Sequence, residues 1–162
     1  MSDEIKSVEA DVFKSAMGRF ASGVTVVTTV ADGERFGITV SAFSSLSLDP
    51  PLVLICIAKR APSHEAIKNA GKFVANILSA DQEEVSNKFA SRAEDKFEGI
   101  AWHDGDLGLP VIEGSLGSVE CVLHSSLDGG DHSIYVGRVV GAHLTDGQPL
   151  IYGQGGYRRL SE

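Results

Sequence analysis

Cysteine is rare in this chain, and its scarcity limits the chemistry available to the protein. There are two cysteines, Cys56 and Cys121, and each lies inside an apolar, strand-like segment. They have neither the CxxC spacing nor the further ligands that a zinc site requires. Both are therefore predicted to be reduced residues of the core, the usual state of cysteine in a reducing compartment.

Long apolar runs are missing as well. The longest run, residues 52–58, is far shorter than the roughly 20 residues that a transmembrane helix needs. Residues 1–11 are acidic and have neither the basic region nor the apolar region of a secretory signal. We therefore expect a soluble protein without a membrane segment, located in the cytoplasm.

Basic residues are outnumbered by acidic ones. The chain has 14 lysines and arginines against 22 aspartates and glutamates, which gives a formal net charge of -8. Binding to a phosphate backbone normally requires a concentrated basic face. Nucleic acid is therefore not an expected partner.

Several familiar catalytic and nucleotide-binding motifs are absent or incomplete. Residues 153–156 (GQGG) lack the third glycine of the GxGxxG dinucleotide turn, and residues 71–72 lack the upstream glycine and the Ser/Thr of a P-loop. Residues 114–117 (GSLG) do not form the GxSxG nucleophile elbow. The sequence therefore supports neither a kinase nor a hydrolase.

The histidines are scattered, without HExxH or another compact ligand spacing, so the sequence predicts no metal site. They are His64, His103, His124, His132 and His143. His132 is singled out because residues 129–131 (GGD) precede it at the start of a predicted strand, and strand ends at a barrel mouth can reach a ligand. A surface histidine in a hairpin is the alternative interpretation.

Periodicity predicts many strands and few helices. A helix over residues 8–21 should bury the face that carries Val12, Phe13, Ala16, Met17 and Phe20. Shorter helices are expected over residues 64–69, capped by Ser63 and ended near Gly71, and over residues 81–89. The predicted strands span residues 24–30, 36–40, 52–57, 73–78, 117–127, 133–144 and 150–152.

The order of these elements favours a mostly antiparallel barrel with peripheral helices over a parallel βαβ array, because strands and helices do not alternate. Asp32–Gly33 and residues 128–131 are predicted hairpin turns. The strand over residues 52–57 is apolar throughout and is expected to be covered on both faces. We expect one domain over residues 1–162.

Residues 37–54 (GITVSAFSSLSLDPPLVL) contain a predicted loop that is rich in serine, with Ser41, Ser44, Ser45 and Ser47 before a pair of prolines. Backbone N–H groups and small hydroxyl side chains can approach a planar or phosphorylated ligand closely. The alternative is that these serines satisfy turn backbone.

Lys59, Arg60 and Ser63 form a second candidate group, because a cation beside a helix N-terminus attracts a phosphate. Solvated surface charge is the alternative here.

Several segments, taken in order, resemble the flavin reductase-like family, whose members have the FMN-binding split-barrel fold. The resemblance covers nearly the whole chain. Each segment alone is a weak match, but the complete set in this order is specific. The matching segments are FASGVTVVTT (20–29), GITVSAFSSLSLDPP (37–51), FVANIL (73–78), FA (89–90), GLP (108–110), EC (120–121), DHSIYVG (131–137) and PLIY (149–152).

The resemblance implies a mainly β, mostly antiparallel split barrel that acts as a homodimeric flavin reductase. Such an enzyme transfers hydride from NADH or NADPH to FMN or FAD and supplies reduced flavin to a separate flavin-dependent monooxygenase. The nicotinamide stacks over the flavin without a Rossmann domain. Neither the flavin nor the nicotinamide can be chosen from the residues, although Arg92, Arg158 and Arg159 could meet a 2′-phosphate.

The resemblance also assigns roles to single residues. Thr39, Val40, Ser41 and Ala42 would line the isoalloxazine, and Ser45, Ser47, Lys59 and Ser63 would lie toward the ribityl phosphate. Phe89 and Ala90 would form a further part of the flavin wall, and Leu46, Ile57 and Tyr157 complete the cofactor-binding set. His132 is the predicted catalytic residue, facing the nicotinamide. Two alternatives stay open: a non-catalytic FMN carrier or sensor, and a structural barrel without flavin.

Overall fold

The computed structural model describes residues 5–161, so residues 1–4 and 162 of the predicted domain lie outside the described part. Its helices are α1 (Ala10–Met17), α2 (Pro62–Ala70) and α3 (Glu83–Ala90). Its strands are β1 (Ser22–Gly23), β2 (Thr25–Ala31), β3 (Glu34–Val40), β4 (Phe43–Ser47), β5 (Leu52–Ala58), β6 (Lys72–Ile77), β7 (Trp102–Asp104), β8 (Pro110–Ile112), β9 (Gly117–Gly129), β10 (His132–Leu144), β11 (Ile151–Gly153) and β12 (Gly156–Arg158).

The main sheet has seven antiparallel strands in the order β3-β2-β6-β9-β10-β5-β4. Its two edge strands, β3 and β4, are consecutive in the chain but do not pair with each other, so the curled sheet is split at this seam. Smaller sheets join β1, β11 and β12, and β7 with β8. The predicted mostly antiparallel β fold with peripheral helices is confirmed.

Strand β2 is covered on both faces because it separates two apolar clusters. Val27 packs inside the curled sheet with Phe73, Tyr135 and their neighbours. Val26, on the opposite face, packs with Phe89 and other residues beneath α3. The alternation of side chains along a strand therefore sends successive valines into different cores.

Turn chemistry was predicted correctly. Asp32 and Gly33 both have positive φ, 52° and 78°, as a two-residue hairpin between β2 and β3 requires. Gly71 ends α2 in the left-handed conformation, and its N–H donates to the carbonyl of Ile67.

The prediction that the first helix buries its apolar face is wrong within this chain. No residue of α1 is buried, and the side chains of Phe13, Met17 and Phe20 are 55%, 55% and 81% exposed. Helical spacing predicts that one face is apolar, but it does not say which surface covers that face. We call Val12, Phe13, Met17 and Phe20 the apolar α1 surface.

Two further expectations about burial are corrected. β5 alternates, with Val53, Ile55 and Ile57 buried and the residues between them only partly covered, so just one face is fully buried. Cys56 lies on that second face and is partly exposed, whereas Cys121 is in the core. Burial and the neighbouring Glu120 raise the pKa of Cys121 to about 12.

The serine-rich segment is partly a strand, not the predicted loop. β4 pairs with β5 through Phe43–Ile55, Ser45–Val53 and Ser47–Leu52, with an irregularity between Ser45 and Ser47. Serine has no strong preference for strands, and an edge strand with both faces near solvent shows no hydrophobic alternation. The residues therefore carried no strand signal.

None of the helices among residues 5–161 has the length and hydropathy needed to cross a membrane.

We expect Gly137→Ala to lower the free energy of unfolding by about 1–3 kcal/mol, because the added methyl overpacks the core. A Cβ at Gly137 would lie 2.6 Å from Cζ of Phe73 and 2.8 Å from Cβ of Cys121. Urea denaturation measures the change. Gly23→Ala is the matched control, because a Cβ at Gly23 meets nothing within 4 Å. Equal midpoints for the two variants would contradict this packing.

Candidate functional site

A cavity of about 400 Å³ lies where the end of β3 meets α3 and the β11–β12 hairpin. It brings together four residues of the predicted cofactor set: Thr39, Ser41, Ala90 and Tyr157. The rest of its lining is Val24, Ser86, Asn87, Tyr152, Gly155 and Gly156. We call it the β3–α3 cavity.

A chain of hydrogen bonds fixes Tyr157 in this cavity. The Tyr157 hydroxyl donates to Oδ1 of Asn87 at 2.8 Å, so its oxygen accepts from the Ser86 hydroxyl, also at 2.8 Å. The Thr39 hydroxyl donates to the carbonyl of Ser86 at 2.6 Å. The ring of Tyr152 packs edge-on against that of Tyr157 at 5.3 Å. β3, α3 and β12 are thus held together around the cavity.

Behind the cavity, α3 approaches β3 closely because Gly37 has no side chain. A Cβ at Gly37 would lie 2.3 Å from Cε1 of Phe89. Phe89 is fully buried, so it supports the wall from the core, whereas its neighbour Ala90 lines the cavity. Lys96 donates to the carbonyls of Phe89 and Gly37, at 2.9 and 3.3 Å, and burial lowers the pKa of Lys96.

A second group of predicted residues lies at the adjoining strand ends. The N–H of Cys56 donates to the carbonyl of Ala42 at 3.0 Å, which places Ala42 opposite Cys56, the residue before Ile57. In the β5–β10 pair, Ile57 lies opposite Ser133 and Ala58 lies opposite His132. Ala42, Ile57, Lys59 and His132 therefore share one end of the curled sheet.

Lys59 and His132 of this group each already pair with a carboxylate. Lys59 pairs with Asp128, and this hydrogen bond, followed by the charge of Lys59, lowers the pKa of Asp128. Nδ1 of His132 lies 2.7 Å from Oδ1 of Asp131, and the hydrogen bond with His132 is the main cause that lowers the pKa of Asp131. Nε2 of His132 has no hydrogen-bond partner among residues 5–161.

The remaining predicted residues lie apart from both groups. Ser45, Leu46 and Ser47 lie on the β4 edge, where Leu46 is 51% exposed. Val40 is buried, so its side chain belongs to the core. Ser63 lines a separate cavity of about 310 Å³ beside Arg35 and Lys96.

Ser63 is not the helix cap that the sequence suggested. α2 begins at Pro62 after Ala61, and Ser63 is buried in the first turn. Pro62 suits the first helical position because its missing N–H would have no partner there.

Three polar residues of this region were not found from the sequence. Ser86 and Asn87 lie in the β3–α3 cavity. Buried His64 connects α2 to β10: its Nε2 is 2.8 Å from Oγ of Ser133, and its carbonyl accepts from the Tyr135 hydroxyl at 2.9 Å. A single polar residue on a short helix gives no spacing signal, so only the fold identifies these contacts.

Residues 17–161 match the family model described as a flavin reductase like domain. The chain belongs to the flavin reductase-like family. It is 44% identical over 151 residues to the reductase component of 4-hydroxyphenylacetate 3-monooxygenase from Thermus thermophilus, covering 93% of this chain and 96% of that protein. It is 43% identical over 149 residues to FMN reductase (NADH) SmoA from Agrobacterium fabrum, covering 92% and 85%.

The fold agrees with that membership. The solved structure of the Streptomyces globisporus NADH:FAD oxidoreductase SgcE6, in complex with NAD and FAD fragments, matches with a TM-score of 0.91 at 34% identity. The match covers 97% of this chain and 98% of that one. The predicted family and the split-barrel fold are both confirmed.

We expect Tyr157→Phe to weaken flavin binding by about tenfold or less, because it removes a hydroxyl worth about 1 kcal/mol in net hydrogen bonding and leaves the ring. Flavin fluorescence quenching measures the dissociation constant. Tyr152→Phe is the matched control, since the Tyr152 hydroxyl makes no hydrogen bond to any residue from 5 to 161. Equal weakening in both variants would contradict a role for the hydrogen-bond chain.

Proposed function

We propose that the β3–α3 cavity holds the isoalloxazine ring of FMN or FAD in this NAD(P)H-dependent flavin reductase. One observation carries the proposal: in a chain of this family, the cavity gathers Thr39, Ser41, Ala90 and Tyr157 from three separate segments. Thr39 lies near the end of β3 and Ser41 directly follows that strand, Ala90 ends α3, and Tyr157 lies on β12.

The residues present fit a flat aromatic ring. The cavity volume of about 400 Å³ falls within the roughly 300–1,000 Å³ of small-molecule sites. Small residues such as Ala90, Gly155 and Gly156 let a ring approach the backbone, and Tyr152 and Tyr157 offer aromatic surface for packing.

The bound flavin supplies the hydride-accepting chemistry, and the protein supplies orientation and charge stabilisation. Backbone N–H groups at the end of β3, over residues 39–42, would stabilise negative charge on the reduced ring, as donors do in an oxyanion hole. His132 would orient the nicotinamide or supply a proton through Nε2, while Asp131 holds Nδ1. No protein nucleophile takes part.

The names of the relatives bear on the substrates. SmoA is named for FMN and NADH, and SgcE6 is named for FAD and NADH. We propose NADH as the first donor to test and leave both flavins as acceptors. The Thermus protein is named as the reductase component of a monooxygenase. A separate flavin-dependent monooxygenase is therefore the proposed consumer of reduced flavin, and the cytoplasm stays the predicted location.

We propose that a second copy of this chain packs against the apolar α1 surface. Several large apolar side chains there are more than half exposed, and contiguous exposed apolar patches typically mark interfaces. The end of α1 also adjoins the proposed site, because the N–H of Gln154 donates to the carbonyl of Gly18, and Gly155 lines the cavity. A homodimer formed through α1 would therefore border the flavin.

The function is tested by a turnover matrix of NADH and NADPH against FMN, FAD and riboflavin, with His132→Ala beside wild type. We expect oxidation of nicotinamide with FMN or FAD, and a loss in kcat/KM for the nicotinamide of at least about tenfold in the variant. His124→Ala is the control, because His124 lies on β9 outside the predicted site.

Other outcomes separate the alternatives. Flavin binding without turnover of either nicotinamide would favour a carrier or sensor. Failure to retain flavin in equilibrium dialysis would favour a structural barrel. Unchanged kinetics in His132→Ala would remove His132 from the catalytic role.

We expect Phe13→Glu to convert the protein to a monomer, because a charge on the apolar α1 surface cannot be desolvated without a partner. Light scattering coupled to size exclusion measures the mass in solution. Ser15→Glu, which adds the same charge away from that surface, should leave the dimer intact. A wild-type monomer at micromolar concentration would contradict the proposal.

A further inference from the structure

Asp106, Glu120 and His143 come together on the β7–β8 side of the barrel. The Nε2 atom of His143 lies 3.5 Å from Oε2 of Glu120 and 4.0 Å from Oδ2 of Asp106. One potential ligand atom from each residue lies within 4.8 Å of the other two. None of the three residues lines the β3–α3 cavity or the Ser63 cavity.

Glu120 is the unusual member, because its side chain is fully buried. Its Oε1 accepts from the N–H of Leu107 at 2.9 Å and its Oε2 accepts from the N–H of Asp106 at 3.2 Å. These donors hold the carboxylate in one orientation but bring no countercharge. A buried carboxylate is costly without a cation or a metal to neutralise it.

Gly105 and Gly141 have no side chains, which leaves room for the carboxylates of Glu120 and Asp106. A Cβ at Gly105 would lie 2.4 Å from Oε1 of Glu120. A Cβ at Gly141 would lie 3.4 Å from Oε2 of Glu120 and 3.9 Å from Oδ2 of Asp106. Both carboxylates therefore border the position that a side chain at 141 would fill.

The local charge favours a cation. Two carboxylates meet one imidazole here, and one of the carboxylates, Glu120, is fully buried. Lys72, whose ammonium group donates to the carbonyl of Leu107 at 2.7 Å, makes no ion pair with these carboxylates in the described chain. An added divalent ion would neutralise the two acids at once.

We propose that Asp106, Glu120 and His143 bind a divalent transition-metal ion of the zinc class. Two carboxylate oxygens and one imidazole nitrogen are ligands that zinc accepts, with water in an open position. Zinc bonds of about 2.0–2.2 Å place neighbouring ligands of a tetrahedron about 3.4 Å apart. The His143–Glu120 separation is already close to that, and Asp106, with a side chain 84% exposed, is free to move nearer.

The consequence of binding would be mechanical. Asp106 lies in the turn between β7 and β8, whereas Glu120 and His143 lie on the central strands β9 and β10. A shared ion would fasten the turn to the main sheet and stabilise the folded state by linkage.

The test uses untagged, chelator-treated, full-length protein, titrated with Zn²⁺ by calorimetry and followed by thermal denaturation with and without the ion. We expect one site per chain and a rise in Tm on adding Zn²⁺. Asp106→Asn and His143→Gln change exposed side chains and should each weaken Zn²⁺ binding by at least about tenfold. His103→Gln is the matched control, because His103 pairs with Glu113 without a third ligand in the described chain.

Titration with Co²⁺ keeps the test decisive if a variant does not fold, since wild type alone should then show the visible absorption of a bound four-coordinate ion. Absence of Zn²⁺ binding to wild type below about 1 mM would overturn the proposal. So would equal Zn²⁺ affinity in wild type and His143→Gln, because His143 would then not be a ligand.

Discussion

The contact between α3 and β3 at Gly37 is the constraint on which the candidate site depends. The ring of Phe89 fills the space that the Cβ of any other residue at position 37 would need. Lys96 donates to a carbonyl of each segment, Gly37 on β3 and Phe89 on α3. This packing brings Ser86 within reach of Thr39 and Tyr157, so the cavity wall and its hydrogen bonds follow from one missing side chain. The proposed ring-binding surface is therefore built on a helix and a strand of the main sheet, which is how precise sites are usually supported.

Much of the fold was predictable because its signals are local. The β-branched run of β2, the Asp32–Gly33 turn and the hairpin before His132 each specify their own backbone conformation. β4 was missed because its serines give no alternation on an edge strand. The prediction that the apolar α1 surface is buried was wrong, because amphipathicity identifies an apolar face but not what covers it.

The candidate site was predictable only in part, and for a related reason. Thr39, Ser41, Ala90 and Tyr157 came from resemblance to a family, and the fold brings them to one cavity. Ser86 and Asn87 act through Tyr157, about seventy residues away in the chain, so no spacing rule could find them. Asp106, Glu120 and His143 are likewise far apart in sequence and meet only because β9 and β10 are paired and the β7–β8 turn packs beside them.

The pairing of Lys59 with Asp128 bears on how long a flavin would stay bound. A phosphate that approaches this lysine finds a carboxylate already in place, so its arrival exchanges one anionic partner for another and the net gain in free energy is small. A phosphate held in this way contributes little to residence time. Loose retention suits a flavin that is taken up oxidised, leaves reduced and diffuses to another protein.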